Sequence, residues 1–171
     1  MGPQQRTPPR SYSTLDPSTP DPQFQNLKTI KRRTALPLVL LVNEVAPDSG
    51  LTHLQLTTDK QLDRIARVCA GLGPSKDFIV HTNAEGTLAE PTSLVARAHT
   101  RGLQVHPYTF RNEAQYLAFP LFADPRQEYD LQFKRQGING GFTDNPATLA
   151  DYFAQVRGSA VLCAGLLTAS F

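Results

Sequence analysis

The sequence predicts an α/β fold made of strand–helix units around a parallel sheet. Three observations carry this. Residues 36–42 (LPLVLLV) form a continuous apolar run without alternation, as expected of a parallel strand covered on both faces. Twice a glycine closes a helical pattern and a short apolar run follows: Gly102 before Leu103, Val105 and Tyr108, and Gly137 before Ile138 and Phe142. Each run then gives way to a polar cluster, Tyr108, Thr109, Arg111, Asn112 and Glu113 after the first, Thr143, Asp144 and Asn145 after the second. Helix, glycine, short strand and polar loop is the order of βα units. In such folds the residues just past the strand's carboxyl end carry the chemistry.

Composition sets outer limits. With 171 residues, 40% hydrophobic and 19% charged, the chain suffices for one domain with a core and polar loops. A net charge of +2 gives no ground for a nucleic-acid or anionic-membrane partner. Cys69 and Cys163 lie far apart without metal-type spacing and read as buried thiols. No secretory signal is visible, since residues 1–22 lack an apolar core segment. Arg6 stands where a myristoylation motif wants Ser or Thr. The most apolar segment, Ala160 to Ala169, is too short to span a bilayer.

Along the chain, residues 1–22 are Pro-, Ser- and Thr-rich, and are expected to be a disordered tail because they cannot bury enough surface to offset ordering entropy. Phe24 to Arg33 reads as a short helix on the spacing of Phe24, Leu27 and Ile30. Its Lys28, Lys31, Arg32 and Arg33 read as a solvated basic face near a helix carboxyl end. After the 36–42 strand, Pro47, Asp48, Ser49 and Gly50 supply turn chemistry, and His53 is placed on the surface. Thr58 is a candidate N-cap for a helix with Leu62, Ile65, Ala66, Val68 and Cys69 as its stripe, ended by Gly71 and Gly73.

The next strand falls either at Leu72 to Pro74 or at residues 78–80, before the polar loop His81, Thr82, Asn83. Glu90 to Arg101 reads as a helix with Leu94, Val95 and Ala98 inward and Pro91 in its first turn. A long connection follows Glu113, with helical spacing resuming at Tyr129 and Phe133. Pro146 to Val156 is the last helix, N-capped by Asn145 and packed through Leu149, Tyr152, Phe153 and Val156. Residues 159–171 are an apolar tail.

HPYTFRNE, then EY some two dozen residues on, then GINGGFTDNP, resemble the C-terminal part of the glycerophosphodiester phosphodiesterases. FQNLKTIKRRTALPLVLLV and ARVCAGLGPSKDFIV resemble that family's middle strands, so the likeness runs from about Phe24 to Phe153. The resemblance implies a TIM-type (β/α)8 barrel. A closed barrel takes roughly 250 residues. Residues 23–158 are therefore expected to form only its C-terminal half: a leading helix and about four βα units.

The resemblance also implies hydrolysis of a glycerophosphodiester substrate to glycerol 3-phosphate and an alcohol, with two histidines and a divalent metal, Ca or Mg, held by carboxylates. No His-Arg pair, no Glu-x-Asp at a suitable distance before a His and no Glu-x-Lys strand occurs here, so no catalytic residue and no metal ligand is expected in this chain. What the resemblance leaves is a substrate-binding wall of Tyr108, Thr109, Arg111 and Phe142. Arg111 is the anion partner in that reading, or alternatively the salt-bridge partner of Glu113 or Asp144. Thr143 and Asp144 are expected to fix the loop or cap the last helix. His99 and His106 are expected to be structural. Two exposed sheet edges would allow self-association, and a non-catalytic half-barrel scaffold is the alternative to an enzyme.

Overall fold

A computed structural model describes residues 22–44, 52–83, 87–117 and 122–166. The expected disordered tail, apart from Pro22, and the last residues of the apolar tail lie outside the described residues. The elements in order are α1 (Pro22–Lys31), β1 (Val39–Val42), α2 (His53–Leu56), α3 (Asp59–Ala66), β2 (Gly71–Pro74), α4 (Leu94–His99), β3 (Gln104–Val105), α5 (Pro125–Tyr129) and α6 (Pro146–Leu166). A π-helical run, Asp130–Arg135, continues α5 without a break.

The sheet has the order β1-β2-β3 and is parallel throughout, with Leu40 opposite Leu72 and Leu72 opposite Val105. Beyond β3 a further stretch runs beside it. Asn139 N donates to Val105 O at 3.0 Å, Phe142 N to Pro107 O at 2.9 Å, and Phe110 bridges Thr143 in parallel. Sequential strands are thus spatial neighbours, each reached by a crossover, as parallel βα units require.

Strand alternation sorts the side chains. Leu40, Val42, Leu72 and Val105 are buried on one face, in one core with Leu62, Ile65, Leu94 and Ala98 from the helices. Each fully buried Leu or Ile contributes about 1.5–3 kcal/mol relative to exposure. The other face is open: Leu41 is 41% exposed and Phe142 45%.

Gly102 and Gly137 have φ of 72° and 74°, the left-handed conformation that ends a helix, as the sequence predicts. Gly71 and Gly73 correct the prediction. They do not stop α3 but lie inside β2, fully buried. A Cβ on Gly71 would sit 2.8 Å from the Gln104 carbonyl oxygen, so glycine here lets β3 approach. The second strand is therefore at 71–74. Lys76–Phe78 instead form a 3-10 turn, capped by Ser75, whose Oγ accepts from Asp77 N at 3.4 Å.

Other boundaries shift for local reasons. β1 begins only at Val39, and Leu36 is 69% exposed, its N–H donating to Thr34 Oγ1. α1 runs Pro22–Lys31, two residues ahead of its expected span, and α4 is shorter than its pattern suggests. Thr58 makes no side-chain cap, whereas Thr52 and Gln55 form a capping box at α2. His53 is not a free surface group: its ring stacks on Phe78 at 3.9 Å. Cys69 is buried, and burial pushes its thiol up. α6 extends to Leu166, so the backbone of residues 159–166 is helical; the Cys163 side chain lies outside the described residues.

An aromatic cluster fixes the C-terminal elements. Phe110 meets Tyr129 at 5.4 Å between ring centres, Tyr129 meets Tyr152 at 5.3 Å, and Phe133 meets Phe153 at 4.9 Å. Tyr152 also donates from its hydroxyl to Asp130 Oδ1 at 2.8 Å, tying α6 to the π-helical run. No helix among the described residues is long and apolar enough to cross a membrane.

Candidate functional site

The carboxyl ends of β2 and β3 open on a cavity of about 430 Å³. Ser75 and Lys76 enter it from β2, and Tyr108, Thr109 and Arg111 from β3. Tyr116, Leu117 and Phe122 come from the following connection, and Glu128, Leu131 and Gln132 from the α5–π segment. This is the position where parallel α/β sheets bind ligands.

Three of the four residues expected at the substrate wall come together here. Tyr108 is held by its hydroxyl, 2.9 Å from Val42 O and 2.8 Å from Asn43 Oδ1, which places its ring across β2. Burial pushes its phenol up, so it stays protonated. Thr109 is half-buried on the cavity wall. Arg111 donates from Nε to Asp144 Oδ2 at 2.7 Å, and its guanidinium carbon lies 4.3 Å from the Tyr116 ring centre. The Asp144 partnership is thus the one formed, and it orients the guanidinium at the rim rather than removing it from the cavity. Phe142 does not line the cavity. It lies on the open sheet face, where a Cβ on Gly73 would meet its ring at 3.3 Å.

Thr143 and Asn145 secure the rim. Thr143 Oγ1 donates to Phe110 O at 3.0 Å and accepts from Asn145 N at 3.0 Å. Asn145 stands before α6 as expected, yet its side-chain oxygen accepts from Asn112 N at 3.1 Å, joining the two polar clusters.

The sequence reading missed Lys76, Glu128 and Gln132. Lys76 Nζ donates to Glu128 Oε1 at 2.7 Å and to Tyr116 O at 2.7 Å. Burial pushes the Glu128 carboxyl above its ordinary value, against the opposing pull of Lys76. Glu128 and Gln132, four residues apart, share one face of the α5–π segment. The available signal was position: Lys76 follows the carboxyl end of β2, and Glu128 begins the EY element.

None of the four histidines lines the cavity. His99 Nε2 pairs with Asn139 Oδ1 at 2.9 Å, and His106 Nε2 with Gln104 Oε1 at 3.1 Å. Burial lowers the His106 pKa, which favours its neutral form. A divalent metal fits poorly here. Of the cavity carboxylates, Glu128 is engaged by Lys76 and Asp77 accepts from Ser75 Oγ at 3.5 Å, and the rim carboxylate Asp144 is engaged by Arg111. No group of three His, Cys, Asp or Glu side chains suited to a metal occurs among the described residues.

The sequence profile of the Glycerophosphoryl diester phosphodiesterase family matches residues 21–148. The chain belongs to this family. It is 42% identical over 130 residues to Glycerophosphodiester phosphodiesterase GDPD6 of Arabidopsis thaliana, covering 74% of this chain and 35% of that protein. It is also 34% identical over 79 residues to Glycerophosphodiester phosphodiesterase GDPDL5 of the same plant, covering 46% of this chain and 10% of the relative. The chain therefore spans about a third of the first relative's length and less of the second's.

Proposed function

We propose that this chain is the C-terminal half of a (β/α)8 barrel in a glycerophosphodiester phosphodiesterase, and that it supplies the phosphate-gripping wall of the substrate site. The observation that carries this reading is the convergence of Tyr108, Thr109 and Arg111 on one cavity at the strands' carboxyl ends. The sequential parallel order of the strands, with helices against one face and the other face open, supports the half-barrel.

In this reading Asp144 holds the Arg111 Nε, and the terminal N–H groups grip the phosphoryl oxygens of the diester. Tyr108 and Thr109 fix the depth at which the phosphate sits. Hydrolysis also needs a proton delivered to the leaving alkoxide, and no residue of the described rim is poised for that. The catalytic histidines and the carboxylates for Ca or Mg belong to the part of the barrel not formed by these residues.

The test pairs binding with turnover. Calorimetric titration of the chain with glycerol 3-phosphate is expected to show binding that disappears in Arg111→Ala. Release of glycerol 3-phosphate from glycerophosphocholine, with Ca²⁺ or Mg²⁺ added or chelated, is expected to be nil. Metal-dependent turnover would overturn the incomplete-site reading, and absence of binding would overturn the Arg111 assignment.

One observation favours a second reading, a non-catalytic scaffold. Leu41 and Phe142 leave an apolar patch on the open sheet face, near Gly73. A second copy of the chain covering it would appear as a dimer in light scattering, disrupted by Phe142→Asp.

A further inference from the structure

We infer that the cleft between α1 and α3 is a second anion site, and that it takes a compact soluble ligand with two adjacent phosphoryl groups. The cleft measures about 420 Å³, and its lining includes Phe24, Lys28, Lys60, Asp63, Arg64 and Arg67. It shares no residue with the cavity at the strands' carboxyl ends. Its four cations stand against one carboxylate, a formal excess of three positive charges in a chain whose net charge is +2. None of the four has a carboxylate partner among the described residues. The one carboxylate is already taken, since Arg101 Nε donates to Asp63 Oδ1 at 2.6 Å.

The excess arises because α3 sorts its charges. Asp59 and Asp63 pair with Arg97 and Arg101, on and just after α4, whereas Lys60, Arg64 and Arg67 line the cleft with α1. α1 has no acid of its own to offer them. Phe24, 3% exposed, positions two of the cations: the Arg64 guanidinium carbon lies 4.7 Å and Lys28 Nζ 5.1 Å from its ring centre. Both of these side chains belong to half-buried residues, while Lys60 and Arg67 are exposed at the mouth. Cations gathered around one ring repel each other, and a cleft lined by one sign of charge concentrates its field, so an anion entering it gains from both.

Depth decides the occupant. A flat anionic surface would meet the exposed pair at the mouth and leave Lys28 and Arg64 unmatched. A small anion reaches all four. One phosphate monoester carries about −1.5 to −2, short of the excess. Two adjacent phosphoryl groups supply the missing charge and enough oxygens for the guanidinium forks of Arg64 and Arg67. The cleft volume falls within the roughly 300–1,000 Å³ of small-molecule sites. Lys31, Arg32 and Arg33, which are exposed and do not line the cleft, remain a solvated basic face.

The test titrates the whole chain calorimetrically with pyrophosphate and with inorganic phosphate, in an Arg111→Ala background so that the other cavity contributes nothing. Pyrophosphate is expected to bind on the order of tenfold tighter than phosphate, and to weaken as salt is added. Lys28→Gln with Arg64→Gln is expected to abolish its binding. Lys60→Gln with Arg67→Gln changes only exposed positions, so the fold is kept, and should weaken binding about tenfold. Arg32→Gln with Arg33→Gln removes the same charge outside the cleft and should change affinity by about twofold at most.

Equal affinity for the two probes, no pyrophosphate binding, or equal losses from the Lys60–Arg67 and Arg32–Arg33 variants overturns the inference. The alternative occupant is tested by sedimentation with vesicles of equal parts phosphatidylcholine and phosphatidylserine. Vesicle binding that is lost in Arg32→Gln with Arg33→Gln, and that pyrophosphate does not displace, would replace the cleft site by a membrane-facing basic surface if pyrophosphate alone fails to bind. Pyrophosphate binding that depends on Lys60 and Arg67 in the absence of vesicles supports the soluble ligand.

Discussion

Lys76 and Glu128 lie 52 residues apart in sequence and join through a 2.7 Å ion pair whose side chains are only 12% and 5% exposed. The pair ties the turn after β2 to the α5–π segment across the cavity. Removing one partner of a buried pair strands the other charge, at a cost of about 3–5 kcal/mol. Lys76→Met is therefore expected to lower unfolding free energy by about that amount in urea titrations. The double variant Lys76→Met, Glu128→Leu should recover most of the loss. A double variant as unstable as the single one would show that the pair is not what Lys76 contributes.

The same carboxyl sets a pH dependence. Burial raises Glu128 above its ordinary value of 4.5, so between those two values the folded state binds more protons than the unfolded state. Stability from this group therefore rises as pH falls through the folded value toward 4.5. Asp130 and Asp59 act in the opposite sense and lower down. Lys134 holds Asp130 below 3.8, and Arg97 does so for Asp59, so their contribution is present above 3.8 and lost as pH falls through the folded values. Thermal melts from pH 7 down to about 4.5 are expected to separate the native chain from Glu128→Gln, whose curve should be flatter there.

Glycine placement gives a contrast inside one strand. A Cβ at Gly71 would meet backbone, the Gln104 carbonyl oxygen at 2.8 Å, so β2 and β3 would have to part. At Gly73 the nearest atom is Leu41 Cδ2 at 2.7 Å, the tip of a side chain that is 41% exposed and can turn away. Gly71→Ala is expected to cost about 1–3 kcal/mol, as overpacking does. Gly73→Ala should cost less than half as much. Equal losses in denaturant titrations would place the strain elsewhere.

These positions also mark what the sequence could and could not reveal. Gly102 and Gly137 were legible as helix ends because a left-handed residue after a periodic run is a local signal. Gly71 carries the same letter for a non-local reason, the approach of β3, so a local rule reads it as a helix stop. Tyr108, Thr109 and Arg111 were legible because they follow a strand, and loop position past a strand end is itself local. Lys76 with Glu128 was not, because the order of strands and the path of α5 decide which distant residues meet. Phe142 stands apart from the cavity lining through alternation: it lies on the open sheet face, where Gly73 leaves room.

Arg111 offers the sharpest separation of stability from binding. Its ion pair with Asp144 is exposed, 35% and 55% for the two side chains, and such pairs contribute at most about 1 kcal/mol. Arg111→Ala should thus leave the melting curve nearly unchanged. Its loss at an anion would be larger, because a hydrogen bond to a charged group contributes about 1.5–3 kcal/mol, or roughly ten- to a hundredfold in affinity for glycerol 3-phosphate. Arg111→Lys keeps the charge but cannot hold Asp144 and a phosphate with one planar group, so it should recover only part of the affinity. Asp144→Asn separates the remaining roles. If Asp144 mainly orients the guanidinium, affinity falls; if its charge mainly repels the ligand, affinity rises at low salt and the difference fades as salt is added. The 2.7 Å Nε contact leads us to expect the fall, and a salt-sensitive rise in the same titration would reject orientation as its role.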